Sequence, residues 1–333
     1  MNEKNNLGTI MRRHRLWLFL LVITLAGCQE LGKIKKLKLA HGLDVTHSVH
    51  LGMEFMAERL AEKSGGKLLL EIYPNQQLGT ERQCLELLQI GSLAMTKVSG
   101  AVMENFAPKT QVLSLPYVFR DRDHLFAVLD GEIGQQLLLE GEKYWLHGLT
   151  YFDAGQRSFY AKTPIRTPED LAGKKIRVQE SATAMNMVKA MGGAPTPIAW
   201  GELYTALQQG IVDGAENNPP SFYLSKHYEV CKYYSLNEHT AVPDILIIST
   251  IAWNKLNTQE QLWLQEAAKE ASLHQRRLWK KSEEESLQAV KAAGVEIISP
   301  DKSAFAARTS IILEQLKNEP EKYRLIQQIQ ELH

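Results

Sequence analysis

Cysteine is scarce in this 333-residue chain: three residues, Cys28, Cys84 and Cys231, with no Cys-x-x-Cys pair among them. That spacing excludes a zinc ribbon and a thioredoxin-like redox motif. Cys84 and Cys231 read as two buried free thiols, with a disulfide in an oxidising compartment as the alternative. Net charge is also missing, since 38 basic residues balance 38 acidic ones. A basic stripe for nucleic acid is therefore not expected. There is no low-complexity tract and no Gly/Ser linker. The sequence signatures of serine hydrolases, zinc proteases, P-loop NTPases and dinucleotide enzymes do not occur, so an enzyme is not expected. His47 and His50 lie three apart, but no third ligand at suitable spacing completes a zinc set. Neither a metal nor a cofactor is expected. Beyond residue 26 no apolar run approaches the ~18 residues of a membrane span.

What is present begins with an export signal. Arg12, Arg13 and Arg15 precede an apolar run over residues 16–26, which is signal-peptide length. It ends in Leu25-Ala26-Gly27-Cys28, which resembles a bacterial lipobox. Residues 1–27 are thus expected to be a lipoprotein signal peptide, Cys28 to carry the lipid, and residues 28–35 to be the anchor linker. Residues 11–28 already form a complete signal, so Met11 is an alternative start. After cleavage the chain holds 34 basic and 37 acidic residues, net −3.

The remainder alternates strand and helix patterns. Strands are expected at residues 37–40, 67–73, 93–98, 175–178, 245–249 and 295–298. Helices are expected at 49–63, after the Thr80/Gln83 capping box, after Thr167-Pro168, and at 183–191, 200–209 and 304–316. This alternation predicts α/β layers with mostly parallel pairing. Thr258 and Gln261 form a second capping box, which opens a helical pattern running to about residue 293. At ~1.5 Å per residue such a helix is longer than one small domain, so it is expected to bridge two.

Ligands in α/β folds gather where strands end. Arg177 lies inside the apolar strand Ile176-Arg177-Val178, an awkward place unless an anion meets it. Its planar fork suits a carboxylate, with a structural salt bridge as the competing reading. Arg157 follows Gly155. Residues 213–220 (Asp-Gly-Ala-Glu-Asn-Asn-Pro-Pro) read as a turn by composition.

Four stretches in order carry a family resemblance: Tyr73-Pro74 with Gln77-Leu78-Gly79; Leu115-Pro116-Tyr117-Val118-Phe119-Arg120; Asp170-Leu171-Ala172-Gly173-Lys174-Lys175-Ile176-Arg177-Val178; and Val212-Asp213-Gly214-Ala215-Glu216-Asn217. From about residue 36 onward the chain resembles the DctP-type substrate-binding proteins of tripartite ATP-independent periplasmic (TRAP) transporters. The resemblance implies a two-domain periplasmic binding protein fold, with a ligand cleft between the domains and a long helix spanning both. Domain I is expected at 36–154 plus 243–282, and domain II at 155–242 plus 283–333. It also implies a periplasmic receptor that serves the small and large permease subunits; the lipid anchor expected from the lipobox is less usual in this family, and a monomer is expected. By the same resemblance Arg177 takes the ligand carboxylate, Asn217 holds the same group and Arg157 gives a second polar contact. Trp200 supplies an aromatic wall, and His41 and Ser99 match first-domain pocket positions; Lys97, two residues before Ser99 on the same strand face, is expected to reach the pocket from its spacing. Glu180, His239 and Asp244 are candidates for reading hydroxyls. Members that bind sialic acid carry an acid where this chain has Ser99. The run 216–223 is similar to members that bind uronates. A sugar acid is therefore the favoured ligand, with a C4-dicarboxylate or a 2-oxo acid as the alternative. Presentation of the ligand to a sensor or chemoreceptor is the alternative task.

Overall fold

The structure is a computed structural model that describes residues 34–332. The expected signal peptide and Cys28 lie outside them. Among the described residues no helix is long and apolar enough to cross a membrane.

Two sheets organise the chain. The first contains β1 (Lys35–Ala40), β2 (Leu68–Tyr73), β3 (Met95–Ser99), β4 (Leu146–Phe152) and β10 (Asp244–Ser249), in the order β2-β1-β3-β10-β4. The second contains β5 (Arg157–Ala161), β6 (Lys175–Val178), β7 (Ala194–Pro197), β8 (Gly214–Asn217), β9 (Tyr233–Thr240) and β11 (Glu296–Ile298), in the order β11-β9-β5-β8-β6-β7. The chain passes between sheets at residues 153–156 and 241–243. β5 and β10, the strands entered through these links, run antiparallel to their ladder neighbours. Pairing is therefore mixed, which corrects the mostly parallel expectation.

Local chemistry explains most element ends. The helix Ser48–Ser64 stops at Gly65, whose left-handed backbone (φ 58°) accommodates the C-cap. Thr80 and Gln83 form the expected capping box on the helix Glu81–Gln89. The long helix runs Thr258–Ala292, but its box is made by Asn257 and Glu260 rather than Thr258 and Gln261. Asparagine is the stronger cap and lies one residue earlier. Residues 214–217, expected as a turn, are β8: they are buried on both sides and pair with β5 and β6.

The long helix packs against Ser48–Ser64 of the first lobe and against the helix Pro219–Leu224 of the second. Gln275 on this helix holds the first crossing, accepting from Asp153 N and donating to Asp153 O, both at 2.8 Å. Gly155 in the same crossing has φ 57°, and a Cβ there would lie 2.8 Å from Trp279 Nε1. Glycine is required there by both backbone and space. The final helix Pro320–Glu331 departs from the expected second-domain assignment. His124 Nε2 meets Ile329 O at 2.7 Å and Arg120 Nη1 donates to Gln330 O at 3.1 Å, so this helix packs on first-lobe residues. Cys84 and Cys231 are both buried and unpaired. Burial pushes their thiols up to about 11 and about 12.

Candidate functional site: a cleft with one unpaired guanidinium

Between the two sheets lies a narrow cleft, with a cavity volume of about 60 Å³. Eight of the ten expected ligand residues line it: Arg177, Asn217, Arg157, Trp200, Ser99, Lys97, Glu180 and Asp244.

The second-lobe wall is built on adjacent strands. Arg177 sits on β6, next to Ala215 of β8, and is 2% exposed. Its Nε donates to Ile198 O at 2.9 Å, and its guanidinium carbon lies 5.9 Å from the Trp200 ring centroid. Its Nη1 is buried without a hydrogen-bond partner, and among the described residues no carboxylate forms an ion pair with it. Burial pushes its pKa down, and Tyr160 and Glu216 oppose this from a distance. A guanidinium nevertheless stays charged in proteins. An unpaired buried cation is costly, so this geometry calls for an anion.

Arg157 on β5 is different. Its Nε and Nη2 grip the Glu216 carboxylate, the latter at 2.7 Å, and its Nη1 donates to Asn217 Oδ1 at 2.8 Å. Burial would raise the Glu216 pKa, but Arg157 and His239 hold it down at about 2. Arg157 therefore lines the cleft with its charge already neutralised. Its consequence is positional: Asn217 Oδ1 is occupied by Arg157 and by Asn218 N at 3.0 Å, so the Asn217 amide NH₂ is the end left for a ligand.

The first-lobe wall carries the opposite balance. Lys97 and Ser99 project from one face of β3, and Asp244 of β10 is directly across from Ser99. Lys97 Nζ donates to Glu81 Oε1 at 2.9 Å and to Asp244 Oδ1 at 3.2 Å. Burial opposes the Lys97 charge, but the two carboxylates outweigh it and raise its pKa. Burial raises Asp244, with Lys97 opposing. One ammonium shared between two acids leaves no free cation on this side among the described residues.

Hydrogen bonds join the walls, among them a Gln111 Nε2 donation to Thr183 Oγ1 at 3.0 Å. Ser99 Oγ donates to Gln179 Oε1 at 3.3 Å, Asn105 Nδ2 to Glu180 O at 2.7 Å, and Ser181 Oγ and Thr183 N to Glu104 Oε1 at 2.7 and 3.0 Å. The lobes are therefore closed on one another.

Two expected residues are elsewhere. His41 does not line the cleft: its Nε2 is engaged with His50 Nδ1 at 2.9 Å and its Nδ1 accepts from Leu43 N at 3.1 Å. His239 is fully buried behind Glu216, with Nε2 3.4 Å from Oε2. Both are structural neighbours of the cleft rather than part of its lining. Sequence reasoning missed His47, Glu81, Gln179, Asn218 and Trp279, all of which line it. Glu81 carried one signal, an acid opening a helix two residues past Gly79.

Two lobes closing on a cleft with an unpaired buried guanidinium define a solute-binding protein for an anion. Comparison with known proteins gives the family. Residues 39–319 match the profile of the bacterial extracellular solute-binding protein, family 7, DctP. Protein YiiZ of Salmonella typhimurium is 38% identical over 297 residues, covering 88% of this chain and 90% of that one. A TRAP periplasmic solute-binding protein of Xanthobacter autotrophicus, solved with bound β-D-galacturonate, superposes with a TM-score of 0.87 at 37% identity, covering 89% of this chain and 100% of that one. One of Pseudomonas putida, solved with bound D-glucuronate, gives 0.87 at 35% identity, covering 90% and 98%. The chain belongs to the DctP family of TRAP transporter solute-binding proteins, a periplasmic family of receptors rather than of enzymes.

Proposed function

We propose that this protein captures a monocarboxylate sugar acid, a uronate such as D-glucuronate or D-galacturonate, and delivers it to a TRAP permease. The observation that carries the reading is the buried, unpaired Nη1 of Arg177. The ligand carboxylate meets Arg177 as a charge-assisted pair, with the Asn217 amide donating to the same group. Trp200 covers the guanidinium. Hydroxyl hydrogens are accepted at the other end by Glu81, Asp244 and Glu180. A C4-dicarboxylate fits this wall poorly, because its second carboxylate would face acids that already outnumber Lys97. The uronates bound by structural relatives support the same ligand class.

A thermal-shift panel followed by calorimetry tests the reading. D-glucuronate or D-galacturonate should raise Tm in proportion to occupancy, and succinate and pyruvate should not. A Tm rise with succinate and none with either uronate rejects it.

We further propose, from the Leu25-Ala26-Gly27-Cys28 motif, that the protein is tethered through a diacylglyceryl group on Cys28 and works as a monomer. Cys28→Ala should release it from the membrane fraction. Membrane retention of that variant would count against the anchor.

A further inference from the structure

Three buried nitrogen donors lining the cleft lack a hydrogen-bond partner: Arg177 Nη1, His47 Nε2 and Trp279 Nε1. None of the other unpartnered buried atoms lines it. Arg177 is accounted for by a carboxylate. The other two come from separate elements. His47 is the N-cap of the helix Ser48–Ser64, and Trp279 projects from the long helix that both lobes share. Both residues line the cleft, and their rings lie 5.7 Å apart between centroids.

The His47 tautomer is set by its cap. Nδ1 accepts from Val49 N at 3.2 Å, so the ring hydrogen resides on Nε2. Burial, and then Lys97, pull its pKa down to about 3, so the ring is neutral at physiological pH. Trp279 is 0% exposed, and a buried indole N–H ordinarily finds an acceptor. Here the protein supplies none, and both groups are donors only. What they accommodate is an acceptor, and being uncharged they suit a neutral oxygen rather than a second carboxylate.

We infer that His47 and Trp279 are specificity residues: their Nε2–H and Nε1–H donate to a neutral oxygen of the ligand, a ring or hydroxyl oxygen of the sugar. This rests on the sugar-acid reading above and names the part of the sugar that the protein reads with donors. It complements the hydroxyl hydrogens accepted at Glu81 and Asp244. It also gives the long helix a direct hold on the ligand.

The test is calorimetry of the full chain with D-glucuronate and D-galacturonate, on wild type, Trp279→Phe and His47→Asn. Phenylalanine keeps apolar bulk without the N–H, and asparagine keeps the helix cap without Nε2. Each variant should bind the better uronate roughly tenfold more weakly, the scale of one lost hydrogen bond to a buried acceptor. The ligand-free Tm of Trp279→Phe should fall, because the smaller ring leaves a cavity at a fully buried site, so the affinity of the folded variant is the deciding readout. Loss of a purely structural tryptophan would likewise lower that Tm but leave affinity unchanged. If Trp279→Phe does not fold, His47→Asn decides. Wild-type affinity in the folded variants, with Arg177→Ala abolishing binding, overturns this inference and leaves the uronate reading intact. A wild-type protein that ignores both uronates overturns the reading, and the inference with it.

Discussion

The two walls of the cleft solve opposite electrostatic problems. In the second lobe, Arg157 is neutralised by Glu216 while its neighbour Arg177 is left without a carboxylate. In the first, Lys97 is shared between Glu81 and Asp244. One wall thus lacks an anion and the other has one to spare. A ligand carrying a single negative end and a hydroxylated end matches both walls. The difference also shows that an arginine in a cleft is not by itself a ligand clamp. What separates Arg157 from Arg177 is whether the protein has already paid its desolvation with a buried partner.

The comparison can be broken most forcefully at Glu216. Glu216→Ala strands the Arg157 charge and should cost about 3–5 kcal/mol of folding stability, read from denaturant unfolding of the ligand-free protein. Arg177→Ala should cost about 2–5 kcal/mol of ligand binding in calorimetry, with ligand-free stability unchanged or improved. If the two effects exchange, with Arg177→Ala unfolding the protein and Glu216→Ala sparing it, the assignment of roles fails. Glu81→Gln sharpens the first wall. It should weaken uronate binding by about 1.5–3 kcal/mol, the scale of a hydrogen bond to a charged group, while improving tolerance of a dicarboxylated sugar acid. Equal uronate affinity in that variant would remove Glu81 from the site.

The effect of pH is spread over several buried groups rather than placed on one wall. Burial holds His41 at about 2, and His47 and His227 at about 3, against an ordinary 6.5. Below pH 6.5 the unfolded chain takes up protons that the folded protein refuses. The stability these residues contribute is complete above 6.5 and is lost as pH falls toward 3, by about 1.4 kcal/mol per pH unit for each histidine. Glu216 adds its loss later, below about 4.5, as pH approaches its folded value of about 2. A Tm that stays flat from pH 7.5 to 5 would contradict the histidine assignment.

Much of this was legible in the residues. Arg177 was visible because a charge inside an apolar strand is an anomaly, and the long helix because its pattern outran one domain. The Arg157–Glu216 pair was not legible, since its partners lie 59 residues apart and meet only through the β5–β8 ladder. His41 and His47 could not be distinguished from sequence. Both sit in one short segment, and the engagement of His41 with His50 decides which of them reaches the cleft. Trp279 was concealed by its own helix, where a large apolar residue on a buried face needs no explanation beyond packing. β8 was obscured because Gly-Ala-Glu-Asn has the composition of a turn and becomes a strand only between two neighbours.

The position of β10 has a consequence for how the molecule is made. β4 has β10 as its ladder neighbour, and β10 also separates it from β3. Between β4 and β10 in the chain lie residues 153–243, which carry most of the second sheet. A polypeptide delivered across a membrane N-terminus first therefore cannot complete its first sheet until its second lobe has also emerged. Such long-range pairing slows folding and leaves the two lobes to mature together.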